Sequence, residues 1–281
     1  MISERTAAPP RKKVLSPRER FVPLALSGVS VVIFFGFFGW LVTSAEAWPR
    51  IQSQFFSLEA MGAAFPKVAQ GFLINMGVWA VSLVAIALWA LILAVFRSLR
   101  GPWFAPLRVF TVVYIDIFRG LPALLLVLLF GFGIPALRIP GLPTTSLFWG
   151  GVAMVLSYSA YATEVYRSGM DAVHDGQWAA AKALGLNQAQ TLGFAIIPQA
   201  LRNVLPALLN LAVALQKDVA LLSVIGVRDA VREAQIYTSR TFNYSSLVVA
   251  AFLFLIATIP MARLTDYVAK KDRERRLQRT A

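Results

Sequence analysis

The sequence predicts an all-α polytopic membrane protein of about six transmembrane helices with both termini in the cytoplasm. Three observations predict it. First, 58% of the 281 residues are hydrophobic and only 15% are charged, against roughly 25% charged in a soluble domain. Mean hydropathy is +0.65. A core of this size cannot absorb so much apolar surface unless lipid solvates part of it. Second, apolar runs of the roughly 20 residues that cross a bilayer recur at 22–45, 68–96, 105–132, 147–166, 203–225 and 245–263. Third, Lys and Arg collect in alternate connections, the pattern that sets membrane orientation.

The elements follow in order. The tail before the first run carries Arg5, Arg11, Lys12, Lys13, Arg18 and Arg20. The run at 22–45 ends in Ala45-Glu46-Ala47, which imitates a leader cleavage site, but it is longer than the 7–15 residues of a leader core. It is expected to be a retained span. The second and third runs are joined by Arg97, Arg100 and Arg108, the fourth and fifth by Arg167, Lys182 and Arg202. A final basic segment holds Arg263, Lys270, Lys271, Arg273, Arg275, Arg276 and Arg279. All these connections fall on one side, so that side is the cytoplasm. The other side has fewer cations: Arg50, Lys67, Arg138, Arg228, Arg232 and Arg240. Net charge is +13. Nucleic-acid binding would concentrate that charge in one patch, whereas here every loop of one side shares it. The tail from Lys270 reads as a topology signal or a contact with anionic headgroups. Gly120, Pro122, Gly131 and Gly133 break the third run, either to line a cavity or merely to kink a packed helix.

Cys is absent and His174 is the single histidine, which excludes thiolate chemistry, disulfides and a His-based metal centre or triad. There is no phosphate-binding G-x-x-x-x-G-K-[ST] loop and no G-x-S-x-G elbow. The chain is therefore expected to have no catalytic residues, no metal and no cofactor of its own.

Ionisable groups at membrane depth are costly unless partnered. Asp116, Arg119, Lys217 and Asp218 lie within apolar runs, and Glu164 lies near the end of the fourth. Asp116 and Arg119 are three apart and share a helix face, so they can neutralise one another. Lys217 and Asp218 point about 100° apart, so each needs another partner. These five are candidates for a substrate path or gate, since an amino acid's ammonium and carboxylate need complementary charge in a dry cavity. Equally, they could be ties between helices.

Residues 176–198, GQWAAAKALGLNQAQTLGFAIIP, form helices yet are too polar for lipid. Asp175 is the expected N-cap of a first helix of about nine residues, Gly185 its C′ terminator, and Asn187 with Gln190 a capping box for a second. Nine residues reach about 13 Å, too short to span. Ala179, Ala180, Ala181 and Ala183 give a low profile, with Trp178, Leu184 and Leu186 as anchors. That surface suits a cleft in a partner protein. A helix lying on headgroups would carry a strongly basic face, and Lys182 is the only cation between Arg167 and Arg202.

Gly176-Gln177-x-x-Ala180-Ala181-x-Ala183-Leu184-Gly185, with Pro198 thirteen residues later, resembles the EAA loop of permeases of ATP-binding-cassette (ABC) importers. Ala179 stands where that motif has Glu. Residues 114–122, YIDIFRGLP, resemble the ELFRGTP segment of the polar-amino-acid branch. Residues 162–169, ATEVYRSG, resemble AEIFRGG; 198–202, PQALR, resemble LPQALR; and 216–226, QKDVALLSVIG, resemble LLKDTSLVSVIG. The likeness covers about residues 66–268. It implies a five-helix permease core at 66–268, preceded at 1–65 by a basic tail, an extra N-terminal helix and an external linker, and followed at 269–281 by a basic cytoplasmic tail. It further implies a multi-pass protein of a prokaryotic cell membrane. The 176–190 segment is implied to be a coupling helix, with Gly176, Gln177, Trp178, Ala180, Ala181, Ala183, Leu184, Gly185 and Pro198 as its ATPase-coupling residues. The implied partners are cytoplasmic ABC ATPase subunits that use ATP-Mg, a second permease copy or paralogue, an extracytoplasmic solute-binding protein, membrane lipid and a polar amino acid. A stand-alone ion-coupled transporter or channel is the alternative, but it needs no docking helix.

Overall fold

The structure, a computed structural model, describes residues 17–99 and 101–280. The basic tail at 1–16 and Arg100, which carry part of the charge bias, lie outside the described residues. The chain forms two units, Met1–Ser53 and Gln54–Ala281. In the first, α1 (Pro17–Thr43) is one apolar helix. From Ala25 to Trp40 its side chains are exposed, including Phe34, Phe35, Phe38 and Trp40. Such a surface is stable only in lipid. A short helix, α2 (Trp48–Phe55), follows.

In the second unit, α3 (Leu58–Ser98) is a 41-residue rod, about 60 Å at 1.5 Å per residue. It starts ten residues before the expected span because Ser57 caps it, its side chain accepting from the Ala60 N–H. Helix α4 (Ala105–Gly120) stops at Leu121-Pro122, where proline cannot continue the ladder. From there α5 (Ala123–Leu128) leaves at a bend of 100°. A π-helical turn at Leu129–Gly133 leads into α6 (Ile134–Leu137). The third span is therefore a broken hairpin-like element rather than a kinked rod.

The central rod is α7 (Ser146–Asp171), enclosed by α3, α4, α5 and α10 (Ile197–Asp218). Its inward residues Ala153, Met154, Ala160 and Ala162 are at most 1% exposed. They pack with Ala90, Val127, Leu215 and Leu222 into the main core or with Leu93 beside it. Small residues allow the close approach common between membrane helices: a Cβ on Gly169 would lie 2.3 Å from Val204, and one on Gly150 2.5 Å from Leu222. By contrast, Leu73, Val81, Val84 and Leu88 of α3 face outward.

Between α7 and α10 lie α8 (Asp175–Ala183), α9 (Gln188–Gln190) and a π-helical stretch, Thr191–Ile196. After α10 comes a 3-10 segment, Val219–Ile225, then α11 (Ala230–Thr241) and α12 (Ser245–Thr280). The run at 226–244, read only as a connection in the sequence, thus contains a helix.

Among the described residues, four helices are long and apolar enough to cross a membrane, or five if the bent pair counts as one. The sequence reading expects six. The difference is α7, which has the length but carries Ser157, Tyr158, Ser159, Thr163 and Tyr166. Protein encloses it, and two of these hydroxyls reach neighbouring helices: Tyr158 OH donates to Asp218 Oδ2 at 2.7 Å and Thr163 Oγ1 to the Ala90 carbonyl at 3.4 Å.

Candidate functional site: a capped helix pair and a polar stripe

Local chemistry fixes the α8–α9 pair. The N-cap is His174, not Asp175: His174 Nδ1 accepts from the Gly176 N–H at 3.0 Å, and Asp175 is the first helical residue. An imidazole nitrogen can cap as a carboxylate does, and here it lies one position earlier. At the other end Gly185 has φ +72. The Gly185 N–H donates to the Lys182 carbonyl and the Leu186 N–H to the Ala181 carbonyl, a Schellman closure that favours glycine. Asn187 then caps α9, accepting from the Gln190 N–H at 2.9 Å, while Gln190 Oε1 accepts from the Asn187 N–H at 3.0 Å. The expected capping box and glycine stop are both present.

One face of α8 is anchored and the other is free. Ala181 is buried and Trp178 packs against the main core, while Ala179, Ala180, Ala183 and Leu184 are exposed, Leu184 by 79%. Gly176 and Gln177 are also exposed. Gln177 accepts from Gln199 Nε2 at 3.2 Å, and Pro198 opens α10 just beside it. Gln188 Nε2 donates to the Ser98 carbonyl at 3.3 Å, tying α9 to the end of α3. Next to this, Glu164 accepts from Arg97 of α3 and from Arg167 of its own helix, and Arg167 also pairs with Asp171 at 2.5 Å. Glu164 therefore sits in a brace at the base of the helix pair, apart from the other candidates.

Of the other four candidates, Asp116 and Arg119 do not form the expected pair, and Asp218 finds its partner on another helix. Asp116 and Arg119 make no ion pair with each other among the described residues. Arg119 instead lies 5.4 Å over the Tyr161 ring, a favourable cation–π geometry. Tyr161 OH donates to the Arg119 carbonyl at 3.5 Å. The Tyr161 ring is 6.4 Å from Tyr158, whose OH donates to Asp218 Oδ2 at 2.7 Å. Arg119, Tyr161, Tyr158 and Asp218 thus line up as one polar stripe across α4, α7 and α10. Asp116 and Lys217 are exposed. The tyrosines escape a sequence reading because in an apolar run they look like packing.

A third polar cluster centres on Asn75 and Asp229. Asn75 and Asp229 have no exposed surface. Asn75 Nδ2 donates to Asp229 Oδ2 at 3.0 Å and to the Val219 carbonyl at 3.3 Å, and Asn75 Oδ1 accepts from the Ala230 N–H at 3.1 Å. Asp229 Oδ1 caps α11, accepting from the Arg232 N–H at 2.8 Å. Burial pushes the Asp229 carboxyl above its usual range, against the opposing pull of the bonds from Arg232 and Asn75.

Comparison with known proteins supplies a second line. Residues 103–274 match the family model described as "Binding-protein-dependent transport system inner membrane component". A putative glutamine transport system permease protein, GlnP, of Rickettsia conorii is 35% identical over 166 residues, 59% of this chain and 75% of that protein. The arginine transport system permease protein ArtQ of Bacillus subtilis is 30% identical over 73% of this chain and 92% of its own length. An inner membrane amino-acid ABC transporter permease protein, YhdY, of Escherichia coli is 29% identical over 80% of this chain, which spans 60% of YhdY. Among solved structures, an amino acid ABC transporter crystallised with histidines matches at TM-score 0.67 and 28% identity, covering 76% of this chain and 98% of that one. The MetNI methionine ABC transporter, at 16% identity and TM-score 0.59, shares the fold.

Proposed function

This chain belongs to the family of inner membrane components of binding-protein-dependent transport systems, and from that premise we propose that it is the permease subunit of an ATP-driven importer of polar amino acids. The observation that carries the reading is the α8–α9 pair. It is short, closed at both ends by caps, anchored on the core through Trp178 and Ala181, and bare on an alanine and leucine face. Such a peg fits a groove in a partner. In this reading α8 is the coupling helix and docks on a cytoplasmic ATPase subunit; the ATPase uses ATP-Mg, and this chain does no catalysis. The brace of Arg97, Glu164 and Arg167 keeps the base of the peg stiff, so displacement at α8 reaches α3 and α7 rather than being lost in a loop.

In this reading the chain has six spans, α7 included, with both termini and α8 in the cytoplasm, the side that the charge bias favours. Two permeases, identical or paralogous, enclose the path, and an external solute-binding protein delivers the cargo. The polar stripe is the wall of that path: Asp218 faces an ammonium and Arg119 a carboxylate, with tyrosines between them. Asp116 and Lys217 flank it, and Glu164 serves as brace rather than ligand. The stand-alone transporter alternative finds no support, since the chain's relatives are ABC permeases.

Reconstitution tests this. The purified chain in liposomes is expected to take up no amino acid alone, and to do so with ATP only when the ATPase and binding protein are added. Uptake by the chain alone, driven by an ion gradient, would overturn it.

A further inference from the structure

One cleft in the second unit lies outside both the peg and the stripe. It has a volume of about 660 Å³ and lies between the start of α10, the far part of α12 and the short link before α8. Two antiparallel helices line it in matching layers. On α10, Arg202 stands one turn nearer the α8 end than Leu205 and Pro206; on α12, Lys271 stands one turn farther out than Tyr267. Cations thus form the outer layer, and aliphatic and aromatic side chains the layer toward the span. Lys271 Nζ lies 5.8 Å over the Tyr267 ring, which holds it in place. Arg202 is exposed and makes no ion pair among the described residues. His174, committed through Nδ1 to capping α8, keeps its ring donor on Nε2 when neutral. Asp272 also lines the cleft and is engaged in an interaction of its own, so two cations face one carboxylate.

We infer that this cleft binds a phosphate-bearing anion, and that its source is the headgroup of an anionic phospholipid. A soluble phosphate needs only the outer cations. The inner layer of Leu205, Pro206 and Tyr267 adds what a lipid alone supplies, a glycerol and acyl segment continuing from the headgroup. Basic pockets between helices at the cytoplasmic end of spans are suited to such headgroups. The bound phosphate would touch the residue that caps α8, linking lipid composition to the seat of the peg.

The test uses the full chain, delipidated in detergent, with equimolar phosphatidylglycerol and phosphatidylcholine of the same acyl chains, read by native mass spectrometry. Wild type is expected to retain phosphatidylglycerol preferentially. The double variant Arg202→Gln/Lys271→Gln should lose that preference by about 5-fold per cation removed. A charge-conserving Arg202→Lys/Lys271→Arg pair should keep it, which separates binding from misfolding. Removing two exposed cations of α12 outside the cleft, Arg263→Gln/Lys270→Gln, should change it little. In a parallel arm, inorganic phosphate alone is added and thermal stability is measured. Stabilisation by phosphate without any phosphatidylglycerol preference would reassign the site to a soluble anion and overturn the lipid source. Equal retention of both lipids with no phosphate effect, or an equal loss in the Arg263/Lys270 control, overturns the cleft as a site. No ATPase is needed, so either result leaves the importer reading as it stands.

Discussion

Helices α8 and α11 are both short and sit at opposite ends of α10, yet they are held by different physics. The caps that close α8 and α9 join residues within five positions: the His174 cap, the Gly185 closure and the Asn187–Gln190 box. Helix α11 hangs from Asn75, 154 residues away from Asp229 in the chain, and the Asp229 backbone presses on Gly71, where a Cβ would lie 2.4 Å from it. Local closure makes α8 a stiff unit with its own caps, seated on the bundle through Trp178 and Ala181. Long-range burial makes α11 part of the bundle itself.

If that contrast is right, the largest loss comes from breaking the α11 tie. Asn75→Leu leaves the Asp229 carboxylate and the Ala230 N–H buried without their amide partner. Each such orphan costs about 1–3 kcal/mol, so the variant should lose roughly 3 kcal/mol or more and unfold markedly earlier. Thermal unfolding in detergent, followed by loss of the monodisperse peak on size exclusion, measures it. An unchanged midpoint would mean that α11 is no better tied than α8.

Gly185→Val should behave oppositely. Valine at φ +72 is strained by about 1–2 kcal/mol, but the strain falls on a closure that touches only α8 and α9. Insertion and thermal midpoint should stay near wild type, while association with the ATPase and ATP-driven uptake fall. Wild-type uptake in this variant would remove α8 from the coupling path. Asn187→Ala should have a smaller effect than either. Loss of an N-cap costs about 1 kcal/mol, here spent on the second, shorter helix, so uptake should drop less than with Gly185→Val. A drop as large would place the docking contact on α9 instead.

The same contrast explains what was legible in the sequence. The glycine stop and capping box of α8 and α9 depend on residues three to five apart, so spacing alone gave them. Its N-cap was misassigned by one position because Asp175 looks the better cap, yet His174 Nδ1 does the work. For α11 nothing local announced a helix: its cap, Asp229, is convincing only once Asn75 is beside it. Apolar runs located every long helix, and α7 departs from a lipid-facing composition because protein surrounds it. In the stripe, the charges Arg119 and Asp218 stood out within apolar runs. Tyr158 and Tyr161, which join them, did not, and the three-residue spacing of Asp116 and Arg119 suggested a pair that Tyr161 forestalls.

The smallest effect expected is a slope with pH rather than a step. Asp229 lies outside the spans, and burial raises its carboxyl above the ordinary value of 3.8. A carboxyl that holds its proton more tightly when folded stabilises the fold below the unfolded value, and that stability is lost as pH rises through the folded value. Wild type should therefore lose stability across this window relative to Asp229→Asn, which has no charge to bury, although the variant starts lower because its single amide oxygen cannot serve both the Arg232 N–H and Asn75 Nδ2, as the two carboxylate oxygens do. Every other carboxylate, including Glu233 paired with Arg228 at 2.6 Å, is common to both proteins and cancels in the difference. Unfolding midpoints of the two, taken from about pH 4 to pH 7, should converge as pH rises. Parallel curves would mean that Asp229 titrates as if exposed, and α11 would then be held by its packing on α3 and α12 rather than by the buried carboxylate.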